Sequence, residues 1–399
     1  MDLELATLPS IIGAILLLFI GQVLVRKIPI LRRYNIPVPV IGGLFFATVL
    51  AALYTQADIH VRFDTELRGF LMLAFFASVG LTADLNRLKQ GGISLLIFLL
   101  VVAVFLTVQN AVGTGMAYLL DLHPAVGLLA GSITLSGGHG TGAAWAERFS
   151  AVQNLSGALE LAVASATFGL VIGGLIGGPV SQFLISRHKL GATAEAPSTS
   201  TDATVAARPI QVVSVLGTLM LMLIGVVIGE ALYRLLEGSP VTLPSFIWAL
   251  FVGVLLRNLL GIRNLYQIQE ETLDLLSTLA LWLALAFAFM ELKLWELLDL
   301  AGPLLALLAV QTLGVALFAA FVTFRALGRT YDAAVMAAGH CGFGMGATPT
   351  AIANMQAVTA RYGPSPQAFI VVPMIGAFFI DLINALVIQG FLMLPIHGF

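Results

Sequence analysis

Charge is what this sequence has least of. Of its 399 residues only 10% are Asp, Glu, Lys or Arg, while 59% are hydrophobic and the mean hydropathy is +1.00. A water-facing globular surface needs about a quarter charged residues, so a soluble domain is excluded and a chain crossing the membrane several times is implied. The formal net charge of −2 leaves no basic footprint, and no nucleic-acid partner is expected. Cysteine is nearly absent: Cys341 stands alone and cannot close an intramolecular disulfide. No basic stretch leads into a small-residue cleavage site near the start, so Leu8 to Val25 reads as a retained span rather than a removed signal. Enzyme motifs are missing as well. There is no Gly-x-Ser-x-Gly elbow, no zinc set around the lone Gly-His-Cys, and no protease aspartate in "GFGMG". No phosphate-binding glycine loop precedes a lysine, which excludes an ATP-driven pump; neither an enzyme nor an organic cofactor is expected.

Apolar runs are what the sequence has most of. About 20 residues are needed to cross roughly 30 Å of hydrocarbon. Ten candidate spans follow: 8–25, 37–55, 69–83, 92–119, 157–180, 210–233, 243–260, 270–292, 303–327 and 367–395. With both termini outside, most of the 19 Lys and Arg fall in cytoplasmic loops, as the positive-inside rule requires, whereas the opposite orientation reverses the bias. Residues 186–208, rich in Ala, Ser, Thr and Pro, have no apolar period and read as a flexible cytoplasmic linker.

That linker separates two copies. "PVPVIGGLFFATVLAAL" from Pro37 parallels "TLPSFIWALFVGVLLRNL" from Thr242, and Gly138, Gly140 and Gly142 match Gly342, Gly344 and Gly346 at a constant offset. Five spans per copy is odd, so the second copy is expected upside down relative to the first, as in many secondary transporters. Segments 125–135 and 141–151 are too short to cross; they read as a re-entrant hairpin with "SGGHG" at its tip. The inverted copy has arms near 333–339 and 348–358 with "CGFGMG" at its tip. The two tips are expected to meet near the midplane.

Non-helical backbone at membrane depth survives only where it is packed in protein or lines an aqueous cavity, and glycine supplies the conformations such a turn needs. Freed amides at half-helix starts attract anions, and freed carbonyls coordinate cations. Substrate-binding candidates are therefore Ser136, Gly138, His139, Gly140 and Thr141 in the first run, with Gly342, Phe343, Gly344, Met345, Gly346 and Thr348 in the second. "IGGLIGG" at 172–178 reads instead as helix packing. Asp381, in "FFIDLINALVIQG", has no basic neighbour in sequence, so a cation is needed beside it: Na⁺ or a substrate ammonium, with a bound proton the remaining possibility. Asn384 lies three residues on, on the same helical face, and with Asn354 and Asn154 completes the candidate Na⁺ ligands. Gln109 and Gln311 read as bonds between helices, and Glu147 and Arg148 as surface residues.

The runs "SGGHGTGAAW" and "GHCGFGMGATPTAIANM", the ten-span plan with its central linker, and "IPVPVIGG" near the start resemble the bacterial sodium/glutamate symporter family. The resemblance covers nearly the whole chain. It implies an all-α polytopic protein of the bacterial inner membrane, related in fold to 2-hydroxycarboxylate transporters, made of two inverted five-span repeats at 1–185 and 209–399. It further implies a homodimer embedded in lipid that imports glutamate with Na⁺ as coupling ion. An elevator motion would carry transport parts (69–180 and 270–395) against a scaffold (8–55 and 210–260). Another small carboxylate driven by Na⁺ or H⁺, or a passive channel formed by two fixed hairpins, remains the alternative at this point.

Overall fold

The structure is a computed structural model describing residues 2–34, 36–57, 60–85, 88–191, 209–236, 243–263, 266–292 and 301–394. In chain order it contains β1 (Asp2–Leu5), α1 (Thr7–Lys27), α2 (Pro29–Arg33), α3 (Val38–Ala57), β2 (His60–Phe63), α4 (Glu66–Thr82) and α5 (Leu88–Leu119). Then come α6 (Pro124–Leu128) with a π-helical turn at Leu129–Ile133, α7 (Gly138–Gln153) and α8 (Ala158–His188). The second part holds α9 (Val212–Leu235), α10 (Ser245–Arg263), α11 (Glu270–Met290), α12 (Ala301–Phe318) with a π turn at Ala319–Thr323, and α13 (Phe324–Ala326). It ends with α14 (Tyr331–Met345), α15 (Thr348–Tyr362), α16 (Pro366–Met374), a π turn at Ile375–Phe379 and α17 (Ile380–Leu392). A helix lies on each of the ten expected spans. Among the described residues six helices are long and apolar enough to cross a membrane, and a seventh is added if Pro366–Ala377 and Ile380–Leu392, bent by 49°, form one span. The fold is thus that of a helical membrane protein; among the described residues β1 and β2 depart from it, pairing in parallel with Leu3 opposite Val61. Most of the expected linker, 192–208, lies outside the described residues.

Packing groups the chain into two compact units. The first comprises Met1–Thr82, His139–Ala164 and Val212–Gly302. In it α4 packs on α9, α10 and α11, and α3 on α1 and α11. The reason α4 and α10 come so close is glycine: a Cβ at Gly80 would fall 2.1 Å from the Leu250 carbonyl, and one at Gly253 2.3 Å from the Ala77 carbonyl. Small residues let helix backbones touch, which is how helices associate where lipid removes the hydrophobic drive. The start of α4 is tied to the start of α1 through Asp64. Its carboxylate accepts from the Thr7 hydroxyl and from the Glu66 N–H at 3.0 Å, and these bonds hold it below the usual carboxylate range.

The second unit comprises Ala83–Gly138, Ser165–Gln211 and Pro303–Phe399. Here α5 packs on α6, α16 and α17, and α14 on α15 and α16. The arms α14 and α15 are 15 residues each, or about 22 Å at 1.5 Å per residue, short of a full crossing.

Candidate functional site

Both glycine runs break their helices, each at one edge of the expected tip and not across its whole length. The first break is the turn Ser136–Gly137, inside the expected tip, and helix resumes at Gly138, so His139 and Gly140 are helical rather than tip residues, while Thr141 and Gly142 lie on the outgoing helix. Gly138 has φ +71°, a left-handed conformation that a residue with a Cβ adopts only under strain. The second break is shifted further. Helix α14 runs through Cys341, Gly342, Phe343, Gly344 and Met345, and only Gly346 and Ala347 leave it, with Gly346 at φ −148° and ψ −97°. The reason is that glycines in this run serve close packing instead of a turn: a Cβ at Gly342 would lie 2.4 Å from the Ala351 Cα of α15.

Within the second unit the two breaks come together. A Cβ built on Gly138 would sit 4.0 Å from the Gly346 carbonyl and meet nothing closer. Gln109, on α5, joins them: its Nε2 donates to the Gly344 carbonyl at 2.9 Å, and its Oε1 accepts from the Ser136 hydroxyl at 2.8 Å. Gln311 in turn donates to the Gln109 peptide carbonyl at 2.8 Å. The Gly344 carbonyl is free to accept because it lies in the last turn of α14, where carbonyls have no helical N–H partner. Met345 packs under α8, where a Cβ at Gly169 would collide with its carbonyl at 2.0 Å. Thr348 opens α15, its hydroxyl 3.0 Å from the position of a Cβ on Gly376.

The remaining candidates in this unit divide by environment. Asp381 is half-buried in the first turn of α17, just past the bend, where helix continues out of the π turn. Asn384 is fully buried; its Nδ2 donates to the Ser132 carbonyl at 2.9 Å, and its Oδ1 has no protein partner. Ser132 belongs to the π turn after α6, and its N–H is held by the Asn110 side-chain oxygen at 2.9 Å. Asn354 donates to the carbonyls of Gly173 and Ala338 at 2.8 and 3.3 Å, bracing α8, α14 and α15. Of the "IGGLIGG" glycines, Gly173 and Gly177 are in close helix packing, while Gly174 and Gly178 are not. His340 and Phe343 do not face an open site: His340 Nδ1 is 2.7 Å from the Thr323 hydroxyl, and its ring stacks on Phe343 with Phe98, Phe105 and Phe318 around it.

The other candidates belong to the first unit. His139 and Thr141 are buried, and Gly140 abuts Leu281 and Phe75. Asn154 is exposed, at φ +52° in the turn between α7 and α8, on the rim of a cavity of about 1120 Å³. The wall of that cavity holds an ion-pair set the sequence did not reveal, because its partners are 79 and 223 residues apart: Arg68 lies 3.4 Å from Glu147 and 3.2 Å from Glu291. Glu147 is exposed, as expected of a surface residue, and is paired there. Half-exposed pairs of this kind are worth about 0.2–1 kcal/mol each, so Arg68→Gln is expected to cost about 1 kcal/mol. The check is a melting temperature in detergent. The deficit should shrink in molar salt, and a salt-independent deficit would assign it to packing of the Arg68 stem.

Helices of spanning length, with two broken segments that meet at buried polar groups, define a polytopic helical membrane protein. Comparison carries this to a family. The sodium/glutamate symporter family model matches residues 3–364. Over 399 residues, 99% of both chains, the sequence is 51% identical to the sodium/glutamate symporter of Escherichia coli (strain K12). It is 46% identical over 394 residues, 98% of both chains, to that of Haemophilus influenzae (strain ATCC 51907 / DSM 11121 / KW20 / Rd). This chain belongs to the sodium/glutamate symporter family, a family of transporters and not of enzymes.

Proposed function

We propose that this protein imports glutamate across the bacterial inner membrane together with Na⁺, by alternating access. The observation that carries the reading is the junction of Gly138, Ser136, Gly344 and Gly346 around the Gln109 amide, inside a chain of this family. Half-helix starts at Gly138 and Thr348 supply free amides for the substrate's carboxylates, and Asp381 supplies the negative charge for Na⁺ or the substrate ammonium. Asn384, whose Oδ1 is unpaired, is the neutral ligand best placed beside Asp381; Asn354 and Asn154 complete the proposed Na⁺ set at other positions.

The order of helices supports two repeats: α3, α4, α5, the broken pair α6 and α7, and α8 are answered by α10, α11, α12, the broken pair α14 and α15, and α16 with α17. We read these as inverted copies working as an elevator, in a homodimer with both termini outside and the linker in the cytoplasm. The border between scaffold (8–55, 210–260) and transport part (69–180, 270–395) is testable at α4 and α11, which pack with α1, α3, α9 and α10. The decisive experiment is uptake into proteoliposomes. Glutamate should accumulate above its external concentration only under an inward Na⁺ gradient. Equilibration without accumulation means a channel, and accumulation under a pH gradient alone means a proton-coupled carrier.

A further inference from the structure

Gln109 does more than bond two helices. Its amide touches both glycine runs at once, and each polar group of the residue that could be left idle is used: Nε2 on the Gly344 carbonyl, Oε1 under the Ser136 hydroxyl, and the peptide oxygen under Gln311. The Ser136 hydroxyl also reaches the Gly344 carbonyl at 3.3 Å, closing a three-membered ring of contacts. Gln109 and Gln311 are each 2% exposed, so water does not stand in for a lost partner. We infer that Gln109 is a positioning residue for the transported substrate: its amide fixes the Ser136–Gly137 turn against the end of α14, and transport requires that tie. The inference rests on the reading of the glycine runs as the substrate site.

The chemistry of the tie is specific. It needs one donor and one acceptor in a single neutral planar group. A glutamine amide provides both. A carboxylate of the same length provides acceptors only and turns a negative oxygen toward the Gly344 carbonyl, whereas a protonated carboxyl again donates to one partner and accepts from the other. A carboxyl removed from water protonates more readily than one in solution. A methionine of similar volume provides neither bond.

The experiment compares Gln109→Glu and Gln109→Met with the parent in Na⁺-driven glutamate uptake between pH 8 and pH 5.5. Each variant is expressed as a ratio to the parent at the same pH. This ratio removes the titration of other groups on the packed elements: His340 and Cys341 on α14, Asp381 on α17 and His123 ahead of α6. A buried carbonyl left without its donor motivates an expected drop in kcat/KM of about tenfold or more for Gln109→Glu at pH 8, recovering to within about threefold of the parent at pH 5.5. Gln109→Met should stay low at every pH. A Gln109→Glu ratio that is flat across pH, whether high or low, overturns the inference, as does parental KM in Gln109→Met. Melting temperatures separate this from failure of the proposed function. If the parent accumulates no glutamate, the substrate reading is lost. The tie itself then still stands or falls by whether the gap between parent and Gln109→Glu closes as pH drops.

Discussion

Asp381→Asn is expected to abolish Na⁺-driven glutamate accumulation while leaving the protein folded. Asp381 occupies the first turn of α17, directly after the Ile375–Phe379 π turn, whose Ile375 carbonyl already takes up the Ile380 N–H. The helix continues through this position, so little stability rests on the charge, and the isosteric asparagine keeps an oxygen acceptor at the same place. The stability loss is therefore small. The functional loss is large, because a dehydrated cation at membrane depth needs a full negative charge and not a dipole; removing that charge costs several kcal/mol, roughly a hundredfold or more in transport. Asn384, three residues on, is buried with its Oδ1 unpaired, an oxygen that the proposed site uses as a neutral ligand. Uptake and Na⁺ activation should be measured on protein whose melting temperature matches the parent. Parental Na⁺ activation in Asp381→Asn would remove this residue from the ion site. Retained Na⁺ activation with lost pH dependence would make it a proton carrier instead.

What the sequence discloses here is whatever depends on run length. Apolar segments near the length needed to cross the bilayer became helices at all ten expected places, since in lipid every peptide group must be bonded within its own segment. The positions of the breaks were less legible, because glycine is used for two unlike purposes. At Gly138 it permits φ +71°; at Gly342 and Gly169 it makes room for a neighbouring backbone inside an unbroken helix. Composition does not tell these apart, so "CGFGMG" read as a tip although all but its last residue is helical. Partners distant along the chain were hidden for the same kind of reason. Gln109 reads as ordinary interhelical polar residue until Gly344, 235 residues away, is found at its amide, and Arg68 shows no sign of Glu291, 223 residues away. Asn154 and Asn354 were named for carrying oxygen at plausible positions. The first lies on an exposed turn and the second spends its amide nitrogen on two helix carbonyls, outcomes that depend on side-chain direction. The β1–β2 ladder left no apolar alternation long enough to read.

Gly342→Ala is expected to be as damaging as loss of the charge, by a different route. The added methyl would fall 2.4 Å from the Ala351 Cα and 2.6 Å from its nitrogen, distances that only movement of the α15 backbone relieves. Overpacking of this kind costs about 1–3 kcal/mol even where side chains absorb it, and here the yielding atoms are main chain. Separating α14 from α15 displaces the Gly344 carbonyl from Gln109 and the Gly346–Ala347 break from Gly138, so transport should fall by roughly a hundredfold. Gly174→Ala supplies the contrast. Its methyl would meet only the Thr350 Cγ2, at 3.6 Å, an ordinary contact, and alanine is the better helix former by about 1 kcal/mol. That variant should transport within about twofold of the parent and melt no lower. Both substitutions add one methyl beside α15, so a general sensitivity of the hairpin to bulk predicts loss in both, whereas dependence on the spacing of α14 and α15 predicts loss only in Gly342→Ala. Parental uptake by Gly342→Ala would show that the two arms tolerate separation, and that the meeting of the two glycine runs is not what the substrate requires.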